Sequence, residues 1–148
     1  MQSSGSFRFE VVKPDGTVLS VEAEECVIPG ASGSFGVLPG HHPFLTLLGA
    51  GEIWWRAGGH QHYLAVSGGF CEVRPDAVTV LAEVAEKAED IDVARAARAK
   101  ARAEEHLKSV SAAGSGDDIR RVREVLERAE SRLKVAAKRG DPGASGGH

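Results

Sequence analysis

Two groups of side chains in this 148-residue sequence could carry chemistry. One is a set of six histidines and two cysteines; the other is eighteen lysines and arginines, concentrated toward the C-terminus. His41-His42 and His60/His62 are the pairs a metal would use first. A zinc site also needs a third ligand at suitable spacing and carboxylates to orient the rings. No such frame surrounds these histidines. Cys26 and Cys71 form no CxxC pair and lie in apolar, strand-like surroundings, so they read as core thiols. No Ser-His-Asp or Cys-His set assembles from the sequence. The reading is therefore no catalytic residue and no metal site.

The arginines are better organised. Arg95, Arg98 and Arg102 are spaced 3 and 4 apart; Arg121, Arg128, Arg132 and Arg139 are spaced 7, 4 and 7 apart. Either spacing puts the set on one face of a helix. Guanidinium groups on two neighbouring helices suit a phosphate or an acidic helix. A plain solvated basic face is the alternative. Nucleic acid is a poor fit, because the net charge is −3 and no aromatic residue interleaves the arginines for stacking on bases. Gly68-Gly69 is no phosphate loop, since no Gly-Lys-Ser/Thr follows it and a strand continues from it.

The elements that position these residues fall into two modules. In the first, Phe7–Lys13 alternates as a half-buried strand, Pro14-Asp15-Gly16 turns the chain, and Thr17–Val21 returns as the second strand of a hairpin. Further short strands read at Cys26–Ile28, Phe44–Leu48, Ile53–Arg56, His62–Val66, Phe70–Val73 and Val78–Ala82, with Gly and Pro at the joints. Strands this short and this often interrupted argue for an antiparallel sandwich or barrel. The absence of βαβ alternation argues against a Rossmann-type nucleotide fold. Between strands runs Gly33–Pro43. Leu38-Pro39-Gly40-His41 fits a type II turn, with Pro39 presetting φ and Gly40 supplying a positive φ. His42 is pushed toward an extended conformation by Pro43. The loop is expected to be stiff and displayed on the surface, as contact loops are.

Glu83–Glu89 reads as a link to the second module. There Ile91–Lys108 is rich in strong helix formers, with Asp90 or Asp92 as a cap. Ser109–Gly116 reads as a loop, and a second helix runs from Asp117-Asp118 to about Arg139. Ile119, Val122, Leu126, Ala129, Leu133 and Ala136 stripe that helix at nearly heptad spacing, and an antiparallel hairpin follows. The first helix offers mostly alanine. A buried Leu contributes about 1.5–3 kcal/mol and a methylene about 0.8 kcal/mol, so an alanine face gains little by packing. The hairpin should therefore dock weakly, and the Gly-rich tail 140–148 should be disordered. The modules also differ in charge. Residues 1–90 hold 5 Lys and Arg against 12 Asp and Glu, net −7; residues 91–148 hold 13 against 9, net +4. No apolar run reaches the ~20 residues of a membrane helix. Met1–Ser6 lacks the basic and apolar parts of a signal peptide, which points to a cytosolic chain reaching a membrane only through a partner.

Several motifs follow in order: Pro14-Asp15-Gly16; Pro29-Gly30 through Pro43; Ser67-Gly68-Gly69-Phe70-x-Glu72-Val73; Val78–Ala82; Ile91-Asp92-x-x-Arg95-Ala96; and Ala103-Glu104-Glu105-His106-Leu107. Together they resemble the epsilon subunit of the bacterial F-type ATP synthase. The resemblance covers about residues 7–139. It implies an α+β chain, with an N-terminal antiparallel β-sandwich over 1–86 and a C-terminal antiparallel two-helix hairpin over 87–139. It implies a non-catalytic subunit of the central stalk, bound to gamma, the c-ring and the catalytic beta/alpha subunits, that couples rotation to ATP synthesis. Its place would be the cytoplasmic face of the bacterial inner membrane, as a peripheral component. The hairpin would inhibit ATP hydrolysis. Contacts to the c-ring and gamma would fall to Gly33, Ser34, Phe35, Gly36, His41 and His42. No cofactor is required. In some members ATP binds the folded-down hairpin as a regulator, at positions that are here Ile91, Asp92, Arg95, Ala96, Arg102, Arg128 and Arg132. Without the resemblance, the residues alone also allow a free-standing β-sandwich adaptor or nucleic-acid module with a basic helical arm.

Overall fold

The computed structural model describes residues 5–138. Its first eight elements are strands: β1 (Phe7–Lys13), β2 (Gly16–Ala23), β3 (Glu25–Gly30), β4 (Gly33–Val37), β5 (Phe44–Leu47), β6 (Gly51–Ala57), β7 (His60–Arg74) and β8 (Ala77–Lys87). A 3-10 turn at Ala88–Asp90 leads to α1 (Val93–Ala113) and α2 (Gly116–Ala136). Arg139 and the tail 140–148 lie outside the described residues.

Alternation builds the core. Phe7, Phe9 and Val11 of β1 point inward with Ile28, Ile53, Leu64, Val73, Val78 and Val80 from other strands. Cys26 and Cys71 sit among them as free, fully buried thiols, as their apolar neighbours in the sequence suggested. The strand order is β2-β1-β8-β7-β6-β3-β4, with β5 also on β7. β7 is the spine: residues 60–66 pair with β6, and residues 70–73 pair with β5. The sheet thus folds over on itself into two layers around one core.

The fold departs from the sequence reading in four places. The segments 62–66 and 70–73, expected as two strands, are one. Gly68 and Gly69 bend it at φ +74 and +95 without ending it. A Cβ on Gly69 would lie 1.8 Å from the Leu81 carbonyl oxygen, so only glycine fits the crease. The expected link at 83–89 is strand as far as Lys87, because it continues the ladder to β7 with Leu64 opposite Lys87. β1 runs parallel to β8, from Arg8 opposite Ala77 to Val12 opposite Leu81, within an otherwise antiparallel sheet. Finally, the expected loop 109–116 shrinks to Gly114-Ser115, because nothing before Gly114 breaks the helix.

The helices are locally well specified. Asp92 caps α1 by accepting a hydrogen bond from the Arg95 N–H at 3.0 Å. Ser115 caps α2 in the same way, from the Asp118 N–H at 3.2 Å. The two helices pack on each other with Ala96, Ala103, Val122 and Ala129 buried. The arm meets the sandwich chiefly through α2, on β6 and β7. Its apolar contact there is a small cluster separate from the main core: Ala65, Ala88, Ile91, Val135 and Ala136, with Tyr63 beside them.

Candidate functional site

Three surfaces can be built up from these elements. The first is the loop 33–43. The turn forms as its residues require: Gly40 stands at φ +82 and the His41 N–H donates to the Leu38 carbonyl at 3.2 Å. The Gly40 N–H ties the loop to the Pro75 carbonyl at 2.9 Å. Phe35 meets Phe44 edge-on with centroids 5.1 Å apart, and the His41 ring lies 5.4 Å from Phe44. His41 Nδ1 is 3.0 Å from the His42 carbonyl oxygen. Gly33, Ser34, Gly36 and His42 are exposed on this braced frame. The loop is a braced, solvent-facing frame that offers backbone and small side chains.

The second surface is apolar, and the sequence reading missed it. Leu47 of β5, Phe70 of β7, Leu81 of β8 and Val12 of β1 are successive cross-strand neighbours. They form one row on the outside of the layer that contains β5. Leu47 is 66 % exposed and its neighbour Leu45 is 65 % exposed, while Phe70 and Leu81 are also open to solvent. Large apolar side chains left side by side on an outer sheet face are a feature that interaction surfaces share. The run Phe44–Leu48 is apolar nearly throughout, so period-2 reasoning could not say which side faced out.

The third surface is the docked arm. Of the residues expected to hold a nucleotide, Ile91 and Ala96 are buried in packing, and the Asp92 carboxylate is engaged in capping α1. Arg95 is exposed on the first turn of α1. Arg128 and Arg132 line a cleft of about 110 Å³ with Ser67, Ser131 and Glu86. Arg102 lines a different groove, of about 660 Å³ between the helices, with Arg121, His106 and Val125. The structure therefore divides the seven positions rather than gathering them in one cavity. A cleft of 110 Å³ is well below the several hundred Å³ that drug-sized ligands occupy. Arg132 Nε donates to Glu86 Oε1 at 2.5 Å, so that guanidinium already has an anion. This bond raises the Arg132 pKa above its ordinary value, against the smaller opposing effect of burial.

The remaining candidates are structural. His62 stacks on Trp55 with centroids 5.3 Å apart. Burial first, and then neighbouring His60, lower its pKa; Glu89 acts weakly the other way. Burial pushes the Cys71 thiol up to about 12 and raises Cys26 further still. Thiols so far from ionisation are poor nucleophiles. Among the described residues, no cluster of His, Cys, Asp and Glu could hold a metal ion. No helix among them is long and apolar enough to cross a membrane.

Comparison with known proteins covers both modules. Residues 6–88 match the family described as ATP synthase, Delta/Epsilon chain, beta-sandwich domain. Residues 89–137 match ATP synthase, Delta/Epsilon chain, long alpha-helix domain. An ATP synthase epsilon chain from Nitratidesulfovibrio vulgaris is 46% identical over 130 residues, which is 88% of this chain and 95% of the relative. One from Koribacter versatilis is 52% identical over 104 residues, 70% of this chain and 73% of the relative. A third, from Bacillus mycoides, is 44% identical over 131 residues, 88% and 96% of the two chains. The fold is shared with a chain in the cryo-EM structure of Euglena gracilis mitochondrial ATP synthase, OSCP/F1/c-ring. The TM-score is 0.75 at 22% identity, over 93% of this chain and 84% of that one. With a sandwich, a helical arm and their order all accounted for, this chain belongs to the ATP synthase delta/epsilon family.

Proposed function

We propose that the chain is the epsilon subunit of a proton-translocating F-type ATP synthase. In this role it is a non-catalytic part of the central stalk. The sandwich seats on gamma through its apolar outer face and on the c-ring through the braced loop 33–43. The arm acts on the catalytic beta/alpha subunits and inhibits ATP hydrolysis when it leaves its dock. The complex holds the chain as a peripheral component at the cytoplasmic face of the bacterial inner membrane. The observation that carries this reading is the row Leu47, Phe70, Leu81 and Val12, an apolar strip on the layer away from the arm that is open to solvent among the described residues. Co-purification with gamma tests it. The wild-type chain is expected to form a one-to-one complex, and Leu47→Asp with Phe70→Asp to weaken it at least ~100-fold, since each burial is worth about 1.5–3 kcal/mol. A double variant that binds gamma as wild type would overturn the assignment of that face.

ATP is proposed here as a regulatory ligand of the docked arm, on the strength of Arg128 and Arg132 lining one cleft. The phosphates must take Arg132 from Glu86, and the cleft must widen around the base. Affinity should therefore be weak, and Glu86→Gln should alter it. Titration calorimetry with millimolar ATP is the check, and no heat from either form would remove ATP from the account.

A further inference from the structure

Glu52, Ala65 and Glu86 are consecutive cross-strand partners on β6, β7 and β8. On that row two carboxylates stand either side of a small apolar residue, two strand spacings or about 9–10 Å apart. Helix α2 and the turn after it lie over the row. Arg132 reaches Glu86, and Lys138 Nζ donates to Glu52. Lys138 comes six positions after Arg132, in the turn that follows α2. Between them Val135 and Ala136 fill the apolar cluster that includes Ala65. Each cation on the arm thus meets its own carboxylate on the sheet. The Lys138 ammonium also stands 4.4 Å from the centroid of the Tyr63 ring. That ring lies two residues from Ala65 along β7, on the same face.

We propose that these two pairs form a two-pin catch that fixes the register of the arm on the sandwich, and that the Lys138–Glu52–Tyr63 pin controls its release. The apolar contact under α2 is one small cluster around Val135 and Ile91, and apolar contact is non-directional, so it holds the arm without fixing one position. The pins add to the hold and supply the position. The Glu52 side chain is 13 % exposed and Lys138 27 %, against 24 % and 28 % for Glu86 and Arg132. Pairs this sheltered are screened less by salt than open surface pairs. Removing one partner leaves the other half-buried and unpaired, which is the costly case. Lys138 lies beyond the last turn of α2, so its pin opens first as the helix end frays, and Arg132 follows. The consequence for the enzyme, that the catch sets how readily the brake is applied, rests on the stalk reading above.

Hydrogen exchange on the full chain tests the catch directly. Glu52→Gln or Lys138→Gln is expected to speed exchange in residues 119–136 by about 10-fold, the effect of one sheltered pair, with residues 7–82 unchanged. Glu52→Lys combined with Lys138→Glu restores the ion pair with opposite polarity but gives up the cation–π contact with Tyr63, so exchange should recover part of the way toward wild type. Single variants that leave the arm as protected as wild type would overturn the proposal. So would a swapped pair as loose as the singles. Either failure concerns the catch alone, because binding to gamma is measured separately.

Discussion

His62 shows how one residue couples the core to pH. Its ring packs on Trp55, and burial makes the protonated form unfavourable, so its pKa in the folded chain lies below the ordinary 6.5. Above that value the ring is neutral in both folded and unfolded chains and stability is unaffected. As pH falls, the unfolded chain takes up its proton first and stability declines, levelling off below the folded pKa. Thermal melts from about pH 7 to about pH 5 should therefore fall for the wild type, and His62→Gln should flatten the slope. An unchanged slope would assign the acid sensitivity to other groups. Single residues were unevenly legible in the sequence. Gly40 was readable because a proline followed by a glycine fits a type II turn, whereas Glu52 and Glu86 were not. Their partners lie 86 and 46 residues along the chain, and no local pattern marks a carboxylate that will be covered by a helix.

Elements carry their own signals where the physics is local. The caps Asp92 and Ser115 sit where a side-chain oxygen must meet an orphan N–H, and α1 and α2 start one residue later. Asp92→Ala should cost α1 about 0.5–2 kcal/mol, seen as faster exchange of its first-turn amides while the sandwich is untouched. No change there would mean that packing on α2 alone holds the start of α1. The parallel pairing of β1 with β8 could not be read in advance, because those strands are far apart in sequence and no turn joins them. The unbroken course of β7 was hidden for a different reason. Gly68-Gly69 looks like punctuation, and only the nearby Leu81 carbonyl shows that the glycines are a crease inside a strand. The row of arginines was visible at helix spacing, but its division between two clefts depends on how α1 and α2 cross.

For the whole molecule, the main core draws on residues from Phe7 to Ala85, with none from either helix among the described residues. A chain ending at Asp90 should therefore keep the sandwich fold, with a melting temperature within a few degrees of the full chain. In the assembled enzyme the same truncation should leave coupling intact and raise ATP hydrolysis. Loss of the sandwich fold on truncation would show that the arm is structural, and unchanged hydrolysis would show that it is no brake. The fold class was legible because alternation and helix-forming runs separate cleanly at about residue 90. The docking of one module on the other was not, because it depends on pairs formed across two surfaces.

β7 also gives the molecule a mechanical property. It runs from Tyr63 and Ala65, beneath the arm, to Phe70 on the apolar outer strip, as one strand laddered to β8 from Leu64 to Arg74 on both sides of Gly68. The bend at Gly69 stays inside the ladder, opposite Ala82, and lies too close to the Leu81 carbonyl for any side chain. A twisting load applied at the strip therefore reaches the seat of the arm through covalent backbone, as through a stiff beam. A rotor part built this way transmits torque with little lag and delivers the same load to the joint where its own appendage is fastened.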